Sequence, residues 1–243
     1  MSILVILECP FLPTSSKSLP VSEIIRDRLL NASASFNAGD NISDYIKEDE
    51  IPALIDEVTD KFQSVLTSLV IDTVNDPNSM DTPRRLAKMY INELMRGRYV
   101  PCPSVTSFPN IGSRAYHGML VAKAEITSMC SHHHQTVQGL CYIGILPTDK
   151  VIGLSKYTRI AQWCARRGTL QEELTDQILA EIQKQTGSDN IGVHITATHN
   201  CMEARGLMAH DSSTSTTSLS GQFYNDSVKK EFFDNIMMQH RQK

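Results

Sequence analysis

Long apolar runs are missing from this chain. No segment approaches the roughly 20 apolar residues that a membrane-crossing helix needs, so no membrane span is expected. A basic excess is missing as well, since the 243 residues carry a formal net charge of −4. General nucleic-acid binders present a basic surface, so no nucleic-acid polymer is expected as a partner. A local basic pocket for a single nucleotide remains compatible with that charge. The stretch Ile3 to Leu7 is apolar, but it has no basic lead and stops at Glu8, and no signal peptide is expected from it. The six cysteines (Cys9, Cys102, Cys130, Cys141, Cys164 and Cys201) follow no regular framework. A reducing, cytoplasmic setting is therefore expected, where thiols bind metals or simply pack. No internal repeat is apparent.

What is present suits a sizeable core. Hydrophobic residues make up 41% of the chain, enough for one domain or two. Residues 1–20 read as a loose arm, Ser22 to Leu30 as a short helix, and the polar stretch to about Lys47 as a linker. Residues 1–50 are thus set apart as an N-terminal arm with a short helix, and residues 51–243 as the main domain. Within Ile51–Ile71, Leu54, Ile55, Val58, Phe62, Val65, Leu66 and Leu69 recur at helical spacing. Thr82 as N-cap and Pro83 as first helical residue open a further helix to about Met95, on which Arg85 and Lys88 share a face.

From Tyr116 to Leu154 the pattern turns to strand. Cys141, Ile143 and Ile145 alternate, Pro147 to Lys150 reads as a turn, and Val151 to Leu154 as a short strand. Ser155 is expected to cap a helix from about Tyr157 to Arg167, closed by Gly168. Thr169-Leu170-Gln171-Glu172 has the form of a capping box opening the next helix, which Gly187 ends. Ile191, Val193, Ile195 and Ala197 then alternate along a strand. If the strand runs on, His199 and Cys201 emerge on that same side. Asp211 to Gly221 is expected to be a strand rather than a linker, and Asn225 to about Met238 a final helix with Val228, Phe232, Phe233 and Ile236 inward.

Two clusters carry chemistry. One reads Cys130-Ser131-His132-His133-His134, and the other Thr198-His199-Asn200-Cys201-Met202-Glu203-Ala204-Arg205-Gly206. Thiolate and imidazole are ligands that zinc prefers, and a catalytic zinc usually has three protein ligands with one position open for water. Two cysteines and one histidine would fill those three positions and leave histidines free to move protons. That arrangement suits hydrolysis better than a structural zinc knot. Buried cysteines that bind nothing, or a disulfide between Cys130 and Cys201, are the other readings of the same residues.

Taken in order, these motifs resemble GTP cyclohydrolase I, the zinc enzyme that opens the guanine ring of GTP and remakes it as dihydroneopterin triphosphate. The likeness runs from Asp81 to Phe223. It rests on Thr82 to Tyr90, Cys130 to His133, Val151 to Lys156 with Arg159, Gln171-Glu172, and His199 to Gly206. The resemblance implies an α+β tunnelling fold, an antiparallel sheet packed with helices, assembling into a multi-subunit barrel. A homo-oligomer is implied, typically a decamer of two pentamers with active sites at subunit interfaces. Cys130, His133 and Cys201 would hold zinc, and water would attack C8 of the purine with loss of formate. His132 and His199 would move protons. Glu172, with Gln171 beside it, would read the guanine edge, unless Glu172 serves the capping box instead. Ser155, Lys156, Arg159 and Arg205 would hold the triphosphate, joined by Arg85 and Lys88 from a neighbouring subunit.

Two positions depart from the family pattern. Ser131 stands where the family usually has Glu, and His134 where it usually has an apolar residue. Losing a carboxylate there weakens the support of a neighbouring ligand, and a third histidine makes the choice of ligand ambiguous. Neither change removes an implied ligand, so an active enzyme is expected. Two rival readings are a catalytically silent, zinc-stapled assembly protein and a reductase of the same fold that uses a cysteine nucleophile. The spare histidines argue against the first, and the convergence of two cysteines and a histidine argues against the second.

Overall fold

Four antiparallel strands and the helices on both faces of their sheet organise the main body of the chain. A computed structural model describes residues 19–240, so the arm expected over residues 1–20 falls almost wholly outside the described residues. The sheet has the order β2-β3-β5-β6, with β2 at Leu120–Met129, β3 at Thr136–Ile145, β5 at Ile191–His199 and β6 at Thr214–Leu219. Two short strands, β1 (Ser107–Pro109) and β4 (Lys150–Ile152), pair with each other beside it. The chain is α+β, as the resemblance implies.

Position in the sheet explains why β3 is buried on both of its faces. A strand covered on both faces must be apolar on both. In β3, Cys141, Tyr142, Ile143 and Ile145 are all at most 1% exposed. Helices α5 (Leu154–Ala165) and α6 (Gln171–Thr186) cover one face through Ile160, Cys164, Leu174, Ile178 and Ile182. Helix α8 (Asp226–His240) and the turn before it cover the other through Phe223, Phe232 and Ile236. Gly144 and Gly192 face each other across β3 and β5. A Cβ on Gly144 would lie 2.7 Å from the Phe232 ring, and one on Gly192 2.6 Å from Phe223. The paired glycines let both rings lie down on the sheet.

A smaller layer precedes the sheet. Helix α1 (Val21–Asn31) packs through Ile25 and Leu29, and α2 (Glu50–Ser68) packs through Leu54 and Ile55 against Ala87 and Ile91. Arg28 clamps Glu50 with contacts of 2.5 and 2.6 Å, joining α1 to the start of α2.

The departures from expectation are local. Helix α3 (Thr82–Lys88) has Asp81 rather than Thr82 at its N-cap, and the stretch Met89–Leu94 widens into a π-helical turn, Met95 N–H reaching the Tyr90 carbonyl at 2.9 Å. Gly153, not Ser155, precedes α5, which leaves Ser155 in its first turn. The capping box does not form. Helix α6 begins at Gln171 with Leu170 at its N-cap, and the Thr169 hydroxyl donates to Glu173 instead of pairing with Glu172. Strand β5 stops at His199, and Cys201 sits on a short helical turn, α7 (Asn200–Glu203), rather than on the strand.

Candidate functional site

Strands β2 and β5 flank β3 and run in the same direction, so both end at the same edge of the sheet. Met129 pairs with Thr136 and His199 with Val137, at the start of β3. Cys130 follows Met129, and Cys201 lies on the turn after His199. The two thiols come side by side. Burial pushes the Cys201 thiol up, and the neighbouring Cys130 pushes it further. Both cysteines are free rather than joined in a disulfide. Asn200 ties α7 to the sheet by donating from Nδ2 to Thr136 Oγ1 at 2.6 Å.

The β2–β3 turn presents the histidines. Cys130 N–H donates to the Gln135 carbonyl and His134 N–H to the Cys130 carbonyl, both at 2.9 Å. His132, His133 and His134 are exposed on it. The His134 ring lies against Tyr90, centroids 5.7 Å apart, and Tyr90 in turn lies against Phe62 at 5.3 Å. The third histidine therefore has an aromatic partner of its own, whereas the His132 and His133 rings face each other edge-on at 6.4 Å. Among the described residues, no three His, Cys, Asp or Glu side chains stand close enough together to hold a metal ion. The donors nonetheless fit zinc in kind, being two adjacent reduced thiols with a histidine three residues from one of them.

His199 is the most constrained group at this edge. Its Nε2 lies 2.7 Å from Gln171 Oε1. The Gln171 amide nitrogen is spent on the Ile195 carbonyl (3.3 Å), the Thr214 carbonyl (3.0 Å) and Thr216 Oγ1 (3.1 Å). With its nitrogen so committed, the amide oxygen can only accept, so His199 donates from Nε2 and keeps Nδ1 as its free lone pair. Burial lowers the His199 pKa, and the carboxylates of Glu172 and Glu203 oppose that shift. Gln171 is only 4% exposed, which sets it apart from the guanine contact expected of it. Glu172, free of any capping duty, is exposed on the first turn of α6 beside His199. Arg205 follows α7 and is close enough to Cys201 to favour its thiolate.

The remaining expected residues lie elsewhere. Helix α6 runs from Gln171, at this edge, to Thr186, and is followed by Gly187, where an added Cβ would lie 3.4 Å from Lys150 Cε. Its 16 residues span about 24 Å at 1.5 Å per residue. Lys150 leads through β4 into α5, whose far end returns toward Met129: a Cβ on Gly168 would lie 3.1 Å from Met129 Cε. Ser155 and Lys156, in the first turn of α5, are therefore at the opposite end of the sheet from Cys130 and His199, and Arg159 is one turn further along. Arg85 and Lys88 are exposed on α3, Arg85 with only a 3.5 Å contact to Asp81.

Sequence reasoning did not single out Tyr90, Asn200 or Glu203, although all three lie inside the motifs it used. Only contacts across the fold give them a part in this site.

Comparison with known proteins identifies a family for the chain. A family model described as GTP cyclohydrolase I matches residues 58–237. The GTP cyclohydrolase 1 of Aeromonas hydrophila is 40% identical over 169 residues, which are 69% of this chain and 77% of the relative. That of Tolumonas auensis is 37% identical over 179 residues (73% and 82%), and that of Klebsiella pneumoniae 36% over 184 residues (75% and 82%).

Proposed function

This chain belongs to the GTP cyclohydrolase I family, and from that premise we propose that it converts GTP and water to 7,8-dihydroneopterin triphosphate and formate, supplying a pterin, folate or deazapurine route. The observation that carries the reading is the convergence of Cys130 and Cys201 at the ends of the two strands flanking β3, with His199 held beside them. Cys130, Cys201 and His133 are the zinc ligands in this reading. His134 is taken up by Tyr90, which favours His133. Zinc bound there supplies an activated water near neutral pH.

The chain's own groups do the rest. His199, neutral and held as the Nε2–H form, takes a proton on Nδ1 and returns it, and His132 on the neighbouring turn is the second proton carrier. The Glu172 carboxylate accepts from N1 and the 2-amino group of guanine. Burial of Gln171 points instead to service behind His199. Arg205 binds the triphosphate from the same edge of the sheet.

Ser155, Lys156 and Arg159 are too far along the fold to join that edge within one chain. We assign them, with Arg85 and Lys88, to sites shared between copies. Strands β2 and β6 are the two edges of the sheet among the described residues, which supports lateral pairing of copies into the barrel of a tunnelling fold, a decamer of two pentamers. No described helix is long and apolar enough to cross a membrane, and we place the enzyme in the cytoplasm.

The test is to incubate metal-quantified protein with GTP and assay formate and oxidised, fluorescent pterin. Both products, at about one zinc per chain, are expected. Zinc without either product would overturn the reading and leave a chain that kept the scaffold and lost the reaction, with Ser131 and His134 as its marks.

A further inference from the structure

Five arginines gather where α4 (Arg96–Tyr99) meets α5 and the residues just after it, and they divide into two kinds. Arg98 is spent on the carbonyls of Phe36, Asn37 and Asp40. Arg167 is buried, with its guanidinium 3.8 Å from the Trp163 ring centroid and a bond to the Gly39 carbonyl. The side chains of Arg96, Arg159 and Arg166 have no ion-pair or hydrogen-bond partner among the described residues. These three line one cavity of about 500 Å³, together with Gln162, Trp163 and Cys102, and no Asp or Glu lines it.

The cavity wall is built rather than incidental. Arg159, Gln162 and Trp163 recur at helical spacing and share one face of α5, and Arg166 follows as its C-cap residue. Gly97 lets α4 close on that face, since a Cβ there would lie 1.9 Å from the Trp163 carbonyl oxygen and 2.9 Å from that of Arg166. Asn41 Nδ2 donates to the carbonyls of Gly97 (2.8 Å) and Val100 (2.7 Å), and Trp163 Nε1 donates to Val100 at 3.0 Å. The backbone between Arg96 and Val100 is thereby held against α5, with Arg96 opposite Arg159 and Arg166. Unneutralised like charges facing one concavity raise the local positive potential and attract a polyanion. The volume falls within the roughly 300–1,000 Å³ usual for small-molecule sites.

We propose that this cavity is a polyphosphate-binding pocket, in which Arg96 and Arg166 act together with Arg159. Only Arg159 is shared with the substrate residues named above, and the direct binding measurement does not depend on the enzyme being active. The phosphates have two possible sources, the triphosphate tail of the substrate or a separate phosphorylated effector.

The experiment titrates inorganic triphosphate into the full chain by calorimetry, for the parent and for Arg96→Gln/Arg166→Gln. Both positions are exposed, and thermal unfolding of the variant checks that the fold is kept. Affinity is expected to fall about tenfold or more, the scale of losing one charge-assisted hydrogen bond. A parallel rise in KM for GTP would identify the substrate's tail as the occupant. Weakened triphosphate binding with an unchanged KM would identify a separate effector. Equal binding by parent and variant, or no binding by the parent, would overturn the pocket.

Discussion

Gln171 Oε1 and His199 Nε2 lie 2.7 Å apart, and the other end of that amide is committed to β5 and β6. The bond makes the identity of the proton-carrying nitrogen a property of α6. Replacing Gln171 with Leu should free the imidazole to turn or change tautomer, and kcat should fall by about 10²-fold, the low end of general acid–base contributions. KM for GTP should change little. Gln171→Glu keeps the accepting oxygen and should recover part of kcat. A Leu variant that lost affinity with kcat intact would return Gln171 to the guanine site.

The metal assignment separates from the proton-transfer assignment by one pair of variants. Cys201→Ala should lose zinc and turnover together, since two remaining ligands rarely hold the ion. His199→Ala should keep about one zinc per chain and lose turnover. Metal analysis of both proteins decides the matter, and retained zinc in Cys201→Ala would remove that thiol from the ligand set.

Much of this site was legible in the sequence because its chemistry is local. Cys130 to His133 and His199 to Arg205 are short stretches whose residue types announce a metal and proton transfer. Contacts across the fold were not legible. Nothing in Thr169-Leu170-Gln171-Glu172 says that α6 starts at Gln171, after Leu170, which buries Gln171 under β5 and β6 and releases Glu172 to solvent. Nor does the spacing of Ser155 from Cys130 reveal that α5 begins at the far end of the sheet, since that depends on β4 and on where α6 ends. Alternation marked β3 and β5 as strands, but it did not show that β3 is covered on both faces, because that depends on where the helices pack.

Acid should detach the N-terminal layer through Glu50. Its bond to the Arg28 guanidinium holds the carboxyl at about 2 against an ordinary 4.5. A depressed carboxyl contributes stability that is present above about 4.5 and is lost as pH falls toward 2. Glu50→Gln should therefore lower stability at neutral pH by about 1–3 kcal/mol, the range for hydrogen bonds to charged groups and for a polar partner left unpaired. The gap between variant and parent should close on acidification. Denaturant unfolding at pH 7 and at low pH measures both, and a constant gap would show that the Arg28 clamp is not the cause.

Placement of Lys156 and His199 at opposite ends of the sheet makes the shared site testable without a structure of the assembly. Lys156→Ala and His199→Ala should each be nearly inactive when pure. If every site takes His199 from one copy and Lys156 from a neighbour, each variant supplies what the other lacks. Unfolding the two together and refolding them at equal amounts should randomise the copies. A site then has an even chance of an intact His199 and an independent, even chance of an intact Lys156. Roughly a quarter of the sites should be whole, and activity should return to roughly a quarter of the parent's, as symmetric sharing of sites requires. Mixing the folded variants without exchange should restore nothing. Activity that stayed at the level of the single variants after refolding would mean that both residues act from one chain, and α5 would then have to reach the zinc edge by a rearrangement of β4.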